Sequence, residues 1–321
     1  DTQLAPLRFA LDLDLVGSKG RINGVSRVVN IRSGDANRSR SLELAPLHVQ
    51  LLGDAAGSEL AVWNSGVDIA AISEVLLPSA GMWPIFGEWL QALAPSGQIH
   101  SVHGFIDAQG FSGYSASVSG LRAQGYRGSP SLDNAQGRVW GGGRNLALQL
   151  NADDTTLQFP DIFATPWPFE HIQGLVKFHI QPGSLALRGQ NIKGRRHDTA
   201  IAAQFAVIRP KERYNQRLTL AVSMDQASFE NVPDYVSIKM APELQRWLRA
   251  APEEGQFSDL LGAYHGQVQL RNKELGRRLE LLGKVRQGRV RYEPRWPVAE
   301  DLIAEIHLAG PTTSIQVASA E

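Results

Sequence analysis

The chain has 321 residues, with Lys+Arg at 32 and Asp+Glu at 32, so its formal net charge is zero and it lacks the basic excess of a nucleic-acid binder. It has no cysteine, which excludes a disulfide framework and a thiolate metal site. An apolar fraction of 43% against 20% charged residues excludes a disordered chain.

Residues 1–71 read as strands. Phe9, Leu11, Leu13 and Leu15 share one face, with Asp12 and Asp14 on the other. Leu47, Val49 and Leu51 alternate likewise, and the runs Ser33–Asn37 and Gly53–Gly57 carry turn chemistry. No run approaches the ~18 apolar residues of a membrane-spanning helix. The chain starts at Asp1 directly in strand pattern, with no signal peptide. It therefore reads as a piece of a longer protein, with any signal or anchor outside it.

Residues 72–97 form a first helical section, interrupted at Pro78 and Pro84. In its second half Ile85, Phe86, Trp89, Leu90 and Leu93 fall at helical spacing. Residues 98–231 return to alternation as a long antiparallel sheet. Leu146, Leu148 and Leu150 form one apolar series, Val176, Phe178 and Ile180 a second, and Leu218, Leu220 and Val222 a third. Gly141–Gly143, Asp153-Asp154 and Pro182-Gly183 read as turns between them. Residues 232–255 form a second helical section, with Leu244, Trp247, Leu248 and Ala251 on one face. Residues 256–321 are strands again and end within an unfinished unit; their alternating pairs include Val268 with Leu270 and Leu279 with Leu281.

One stretch occurs twice. Trp89–Ile99 reads WLQALAPSGQI and Trp247–Phe257 reads WLRAAPEEGQF. Each follows a short proline-marked apolar run, and each is followed by alternating residues and then a Trp-Pro pair, at Trp167-Pro168 and Trp296-Pro297. Such order along one chain marks an array built from one unit. Trp89, Leu90, Trp247 and Leu248 are expected to anchor the helices on the sheet.

No pattern of catalytic chemistry survives inspection. G-x-S-x-G, H-E-x-x-H, Walker A and G-x-G-x-x-G are absent. His100 and His103 on a strand should face opposite sides, which disfavours a metal site. Lys193–Arg196 (KGRR) reads as a solvated basic loop. Asp153-Asp154 and Glu253-Glu254 are adjacent carboxylates in turns and cannot oppose one another across a sugar. No catalytic residue, metal ligand or cofactor is assigned.

The two copies, together with GRVRYEPRWPVAEDLIAEIHLAG, in which a strand is followed by Trp-Pro and a strand ending in Gly, resemble the AsmA-like YhdP family of bacterial envelope proteins. The resemblance is densest over 72–194 and 232–310. It implies a long periplasmic protein, tethered by an inner-membrane helix and reaching toward the outer membrane. It also implies a taco-like groove of curled antiparallel sheet that carries phospholipid, with inner- and outer-membrane components met by parts outside this chain. The alternation is compatible with this, since it supplies more one-faced sheet than two helical sections can cover, and an open sheet of this size must sandwich, close or curl. The candidate groove residues are Leu146, Leu148, Leu150, Val176, Phe178, Ile180, Leu218, Leu220, Val222, Leu279 and Leu281. The expected function is non-enzymatic lipid transfer. The alternatives are a periplasmic structural or docking module without lipid conduction, and a carbohydrate-active β scaffold, which would need opposed carboxylates near an exposed tryptophan.

Overall fold

The computed structural model describes residues 7–18, 20–33, 40–44, 46–54, 57–64, 66–77, 84–107, 110–126, 128–181, 183–210, 216–267, 276–293, 295–310 and 312–320. The turn residues Gly34–Asn37, Ala55 and Ala56, the residues Pro78, Trp83 and Pro182, and the pair Val268 and Leu270 lie outside that set. The chain divides into two units, Asp1–Ala152 and Asp153–Glu321.

The first unit contains β1 (Leu7–Ser18), β2 (Arg21–Ser33), β3 (Arg40–Leu44), β4 (Leu47–Asp54), β5 (Gly57–Asn64), β6 (Val67–Asp68), α1 (Ile69–Leu76), α2 (Pro84–Leu93), β7 (Ser96–Asp107), β8 (Gly110–Ala123) and β9 (Ser131–Gly142). It also contains the start of β10 (Asn145–Gln158). The strands pair antiparallel with near neighbours in sequence: β1 with β2, β2 with β3 and β4, β4 with β5, β5 and β6 with β7, then β7 with β8 and β8 with β9. The two-residue turn at Gly143-Arg144 closes β9 onto β10. Asp68 caps α1 by accepting the Ala71 amide at 2.9 Å, which satisfies one of the free donors of the first turn. The same carboxylate accepts Gln98 Nε2 at 3.1 Å and so ties the helix start to β7. Pro84 opens α2 rather than interrupting a helix, since proline's missing N–H has no partner in a first turn anyway.

The second unit runs from the end of β10 through β11 (Trp167–Gln181), β12 (Ser184–Arg196), β13 (Thr199–Pro210) and β14 (Arg217–Ser228). A 3₁₀ turn (Phe229–Asn231), α3 (Val232–Tyr235) and α4 (Pro242–Ala250) follow, and then β15 (Pro252–Gln267), β16 (Arg278–Val290), β17 (Ala299–Ala309) and β18 (Thr312–Ser319). From β11 to β18 each strand pairs antiparallel with the next. Pro233 and Pro242 stand in the first turns of α3 and α4. Phe229, Val232 and Val236 bury themselves against Val285 and Ala304, with Leu248, Phe257, Val290, Leu302 and Ile306 packed around them. The helical section thus caps one end of the sheet. The expected mainly-β fold of antiparallel sheet with two short helical sections is the fold observed, and the sheet does not close on itself.

The strands are longer than the sequence suggests because bulges keep them going. Ser101, Asn134, Asp154, Asn191, Asp259, Gln287 and Asp301 have φ between 48° and 58°, inside β7, β9, β10, β12, β15, β16 and β17. Asn and Asp tolerate this left-handed conformation better than most residues. Most coincide with register shifts, where an extra residue bends the strand and resets the inward–outward alternation. Four sequence readings are corrected here. Asp153-Asp154 and Lys193–Arg196 lie within β10 and β12, not in turns or loops, and Glu253-Glu254 lies in β15. His100 pairs with Ser117 and His103 with Ser115, so the extra residue at Ser101 brings both histidines to one face. They remain apart in their contacts: His100 meets Ser119 Oγ at 2.9 Å, while His103 stacks beside Trp63.

The repeated stretch is the same device twice, a helix running directly into a strand. Gly97 and Gly255 occupy matching places with φ of 127° and 122°. A Cβ on either would lie 2.8 Å from the Gly120 carbonyl oxygen or 2.7 Å from that of Gln287. Glycine is needed because the chain passes against the next strand's backbone in a conformation other residues avoid.

Candidate functional site

Register decides which side chains share a face, since directly opposed residues in an antiparallel ladder point the same way. In the second unit one row crosses six strands: Val176, Gly189, Phe205, Leu220, Tyr264 and Leu279. A second runs Phe178, Leu187, Val207, Leu218. A third runs Ile192, Ala203, Val222, Gly262, Leu281, Leu308. Ile180 opposes Leu185. The candidates from this unit therefore fall on a single face. One residue out of phase, the opposite face reads Lys177, Arg188, Ala206, Thr219, His265, Arg278. Along these rows one side of the sheet is apolar and the other mixed: the opposite face is polar or basic through Thr219 but also carries Leu261 and Leu282, 52% and 44% exposed.

The apolar face is not sealed. Val176, Phe178, Leu218, Leu220 and Val222 are half-buried, and Ile180, Leu279 and Leu281 are 41%, 45% and 38% exposed. The buried core of the helical section meets the sheet at the Phe257–Val285–Ala304 end, away from the row through Leu220 and Tyr264. Glycines in the rows make room for large neighbours: a Cβ on Gly189 would lie 2.2 Å from the Phe205 ring. Burial raises the Tyr264 phenol above its ordinary pKa, as expected for a hydroxyl on an apolar surface.

The first unit repeats the pattern. Gly24, Val49, Val62, Gly104, Tyr114 and Gly141 form one row. The Cα atoms of Leu146 and Leu150 lie 3.1 and 3.2 Å from the Cβ positions of Gly141 and Gly137 across the β9–β10 ladder. Leu146 and Leu148 are half-buried and Leu150 is buried.

The helix residues divide. Leu90 and Leu248 are half-buried, and Leu248 joins the helical core of the second unit. Trp247 is 40% exposed, and its indole donates to the Tyr292 carbonyl at 3.2 Å. The Trp89 backbone lies in α2, but its side chain is outside the description.

The strongest attachment of the second helical section escaped the sequence reading. Arg196, from the supposed basic loop, is buried and pairs with Asp234 of α3. Its guanidinium lies 5.6 Å from the Trp167 ring and 5.2 Å from that of Tyr235. Trp167 Nε1 donates to the Asp234 carbonyl at 3.3 Å, and Thr165 Oγ1 to its carboxylate at 3.2 Å. Only the pairing of an Asp-aromatic step on a short helix with an arginine at a strand end could have signalled this, and sequence spacing does not supply it. Phe205 and Tyr264 were also missed. The run around Phe205, AIAAQFAVI, is apolar on both faces, which hides its alternation.

A cleft of about 630 Å³ runs along the β11–β15 strands, and its lining takes in the row Gly194, Ile201, Met224, Leu260, in phase with the apolar row. Its lining includes the row Lys193, Ala202, Ser223, Leu261, one residue out of phase with the apolar row through Ala203 and Val222. His171, in its lining, donates Nδ1–H to the Asp153 carboxylate at 2.6 Å. Among the described residues, no group of three or more His, Asp or Glu could hold a metal ion, and no helix is long and apolar enough to cross a membrane.

The second unit is thus an antiparallel sheet with an incompletely covered apolar face and a helical section packed at its end. The model of the YhdP protein family matches residues 33–321. The chain belongs to that family, a family of bacterial envelope proteins. Of the curated proteins and the solved structures compared, none matches the chain.

Proposed function

We propose that this chain is a non-enzymatic segment of a periplasmic lipid-transfer protein, whose apolar face shields phospholipid acyl chains on their way between inner and outer membranes. The observation that carries the reading is the register-aligned, incompletely covered row from Val176 through Leu220 to Leu279. A sheet face that served only as a core would be covered by a second layer. Here it is left half-buried, at the cost of the hydrophobic stabilisation that covering would give.

The magnitudes fit this purpose. At ~0.8 kcal/mol per CH₂, two acyl chains of about 15 methylenes cost roughly 24 kcal/mol to expose to water. A continuous apolar strip removes most of that cost while the head group stays in solvent. Movement is then sliding, without bond chemistry. Family membership supports the same reading.

The test is native mass spectrometry of the chain purified from bacterial periplasm, with extraction of bound lipid. Co-purifying phospholipid is expected in the wild type and in Thr219→Asp, which alters the polar face. It is expected to be lost in Leu220→Asp, one residue away on the apolar face. A lipid-free, stably folded wild type, or equal lipid in both variants, would favour a structural docking module instead.

A further inference from the structure

The helical section of the second unit carries a surface that the apolar strip does not explain. Ile238, Met240, Leu244 and Trp247 are 36–42% exposed. Tyr292 and Trp296, on the loop after β16, are 42% and 60% exposed. Hydrogen bonds and a ring contact tie their backbones and rings together. Gln245 donates to the Ile238 and Met240 carbonyls at 3.3 and 2.9 Å, which holds that turn against α4. Trp247 is tied to the Tyr292 carbonyl, and the Tyr292 and Trp296 rings meet edge to face at 5.5 Å. An apolar patch of this size on a folded domain marks a contact site.

Its surroundings select the partner. Lys239 stands between Ile238 and Met240, and Arg295 beside Trp296; both are exposed, with Glu293 the acid nearest Trp296 in the chain, while Arg246 engages Glu243 at 3.4 Å. The patch therefore carries positive charge at Lys239 and Arg295. Its anchors are Trp and Tyr, whose amphipathic rings favour the headgroup level of a bilayer. It is built from a nine-residue amphipathic helix and a loop, so it offers no strand edge for β-augmentation. A bilayer-docking surface of this kind needs only apolar side chains and cations beside them.

We propose that this patch docks on the surface of an anionic lipid bilayer, with Trp247 and Trp296 at the headgroup level and Lys239 and Arg295 against lipid phosphates. This proposal stands apart from the acyl-chain strip and does not depend on it. Flotation of the full chain with vesicles of phosphatidylglycerol and phosphatidylcholine in equal parts tests it. Binding is expected to the mixed vesicles, and roughly tenfold or more weaker binding to phosphatidylcholine alone. A similar loss is expected for Trp247→Ser/Trp296→Ser and for Lys239→Glu/Arg295→Glu, the latter altering only solvated side chains and so preserving the fold. Leu220→Asp should float as the wild type does, which separates failure of this surface from failure of the strip. Absence of flotation, flotation undiminished in both double variants, or self-association abolished by the same substitutions (a second copy as the occupant) would overturn the proposal.

Discussion

Arg196 shows how much one residue can hold. Its guanidinium is almost wholly out of water, between two aromatic rings and against Asp234. Removing one partner of such a pair leaves a buried charge uncompensated, which typically costs 3–5 kcal/mol. Asp234→Ala should therefore lower stability by about 3 kcal/mol in urea denaturation, whereas Glu243→Ala, which breaks an exposed pair, should change it by under ~1 kcal/mol. Gly189 makes the opposite point, since it works by being absent. A methyl there overlaps the Phe205 ring, and overpacking of this kind costs about 1–3 kcal/mol. Gly189→Ala should destabilise by that amount and displace the Phe205 ring, visible as shifted aromatic resonances.

At the scale of elements, the two helical sections and most alternating runs were legible because helical spacing and period two survive in the sequence. The bulges were not. Asn134, Asp154, Asn191 and Asp259 are ordinary turn residues, and only the structure shows that they sit inside strands of 12 to 16 residues. This is why Asp153-Asp154 and the KGRR run read as breaks, and why the two histidines of β7 were assigned to opposite faces. Of the candidate site, the rows through Leu218 and Leu220 were readable, while Phe205 lay in a strand with too little polar contrast. The start of β15 has its own acid-sensitive tie. Glu253 accepts Arg291 Nε at 2.7 Å and Arg289 Nε at 3.0 Å, and these hydrogen bonds hold its carboxyl below the usual 4.5. A lowered folded pKa favours the ionised form, so the stabilisation is present above pH ~4.5 and is lost as pH falls through the folded value. The acid limb of a thermal-stability profile should therefore be shallower in Glu253→Gln than in the wild type.

For the molecule as a whole, each unit leaves an apolar face partly uncovered, and prediction at this scale concerns solvent. A dye that fluoresces on apolar surface should bind the native chain, and added phospholipid should displace it; Leu220→Asp should reduce the signal without unfolding the sheet. The neighbour-to-neighbour pairing has another consequence, which concerns time. Nearly every ladder joins strands adjacent in sequence, so most loops to be closed are a few residues long and the entropy lost in each closure is small. Folding rate in β proteins is set mainly by the sequence separation of contacts. This chain can therefore zip hairpin by hairpin, and a strand added at one end would barely slow the assembly of strands at the other.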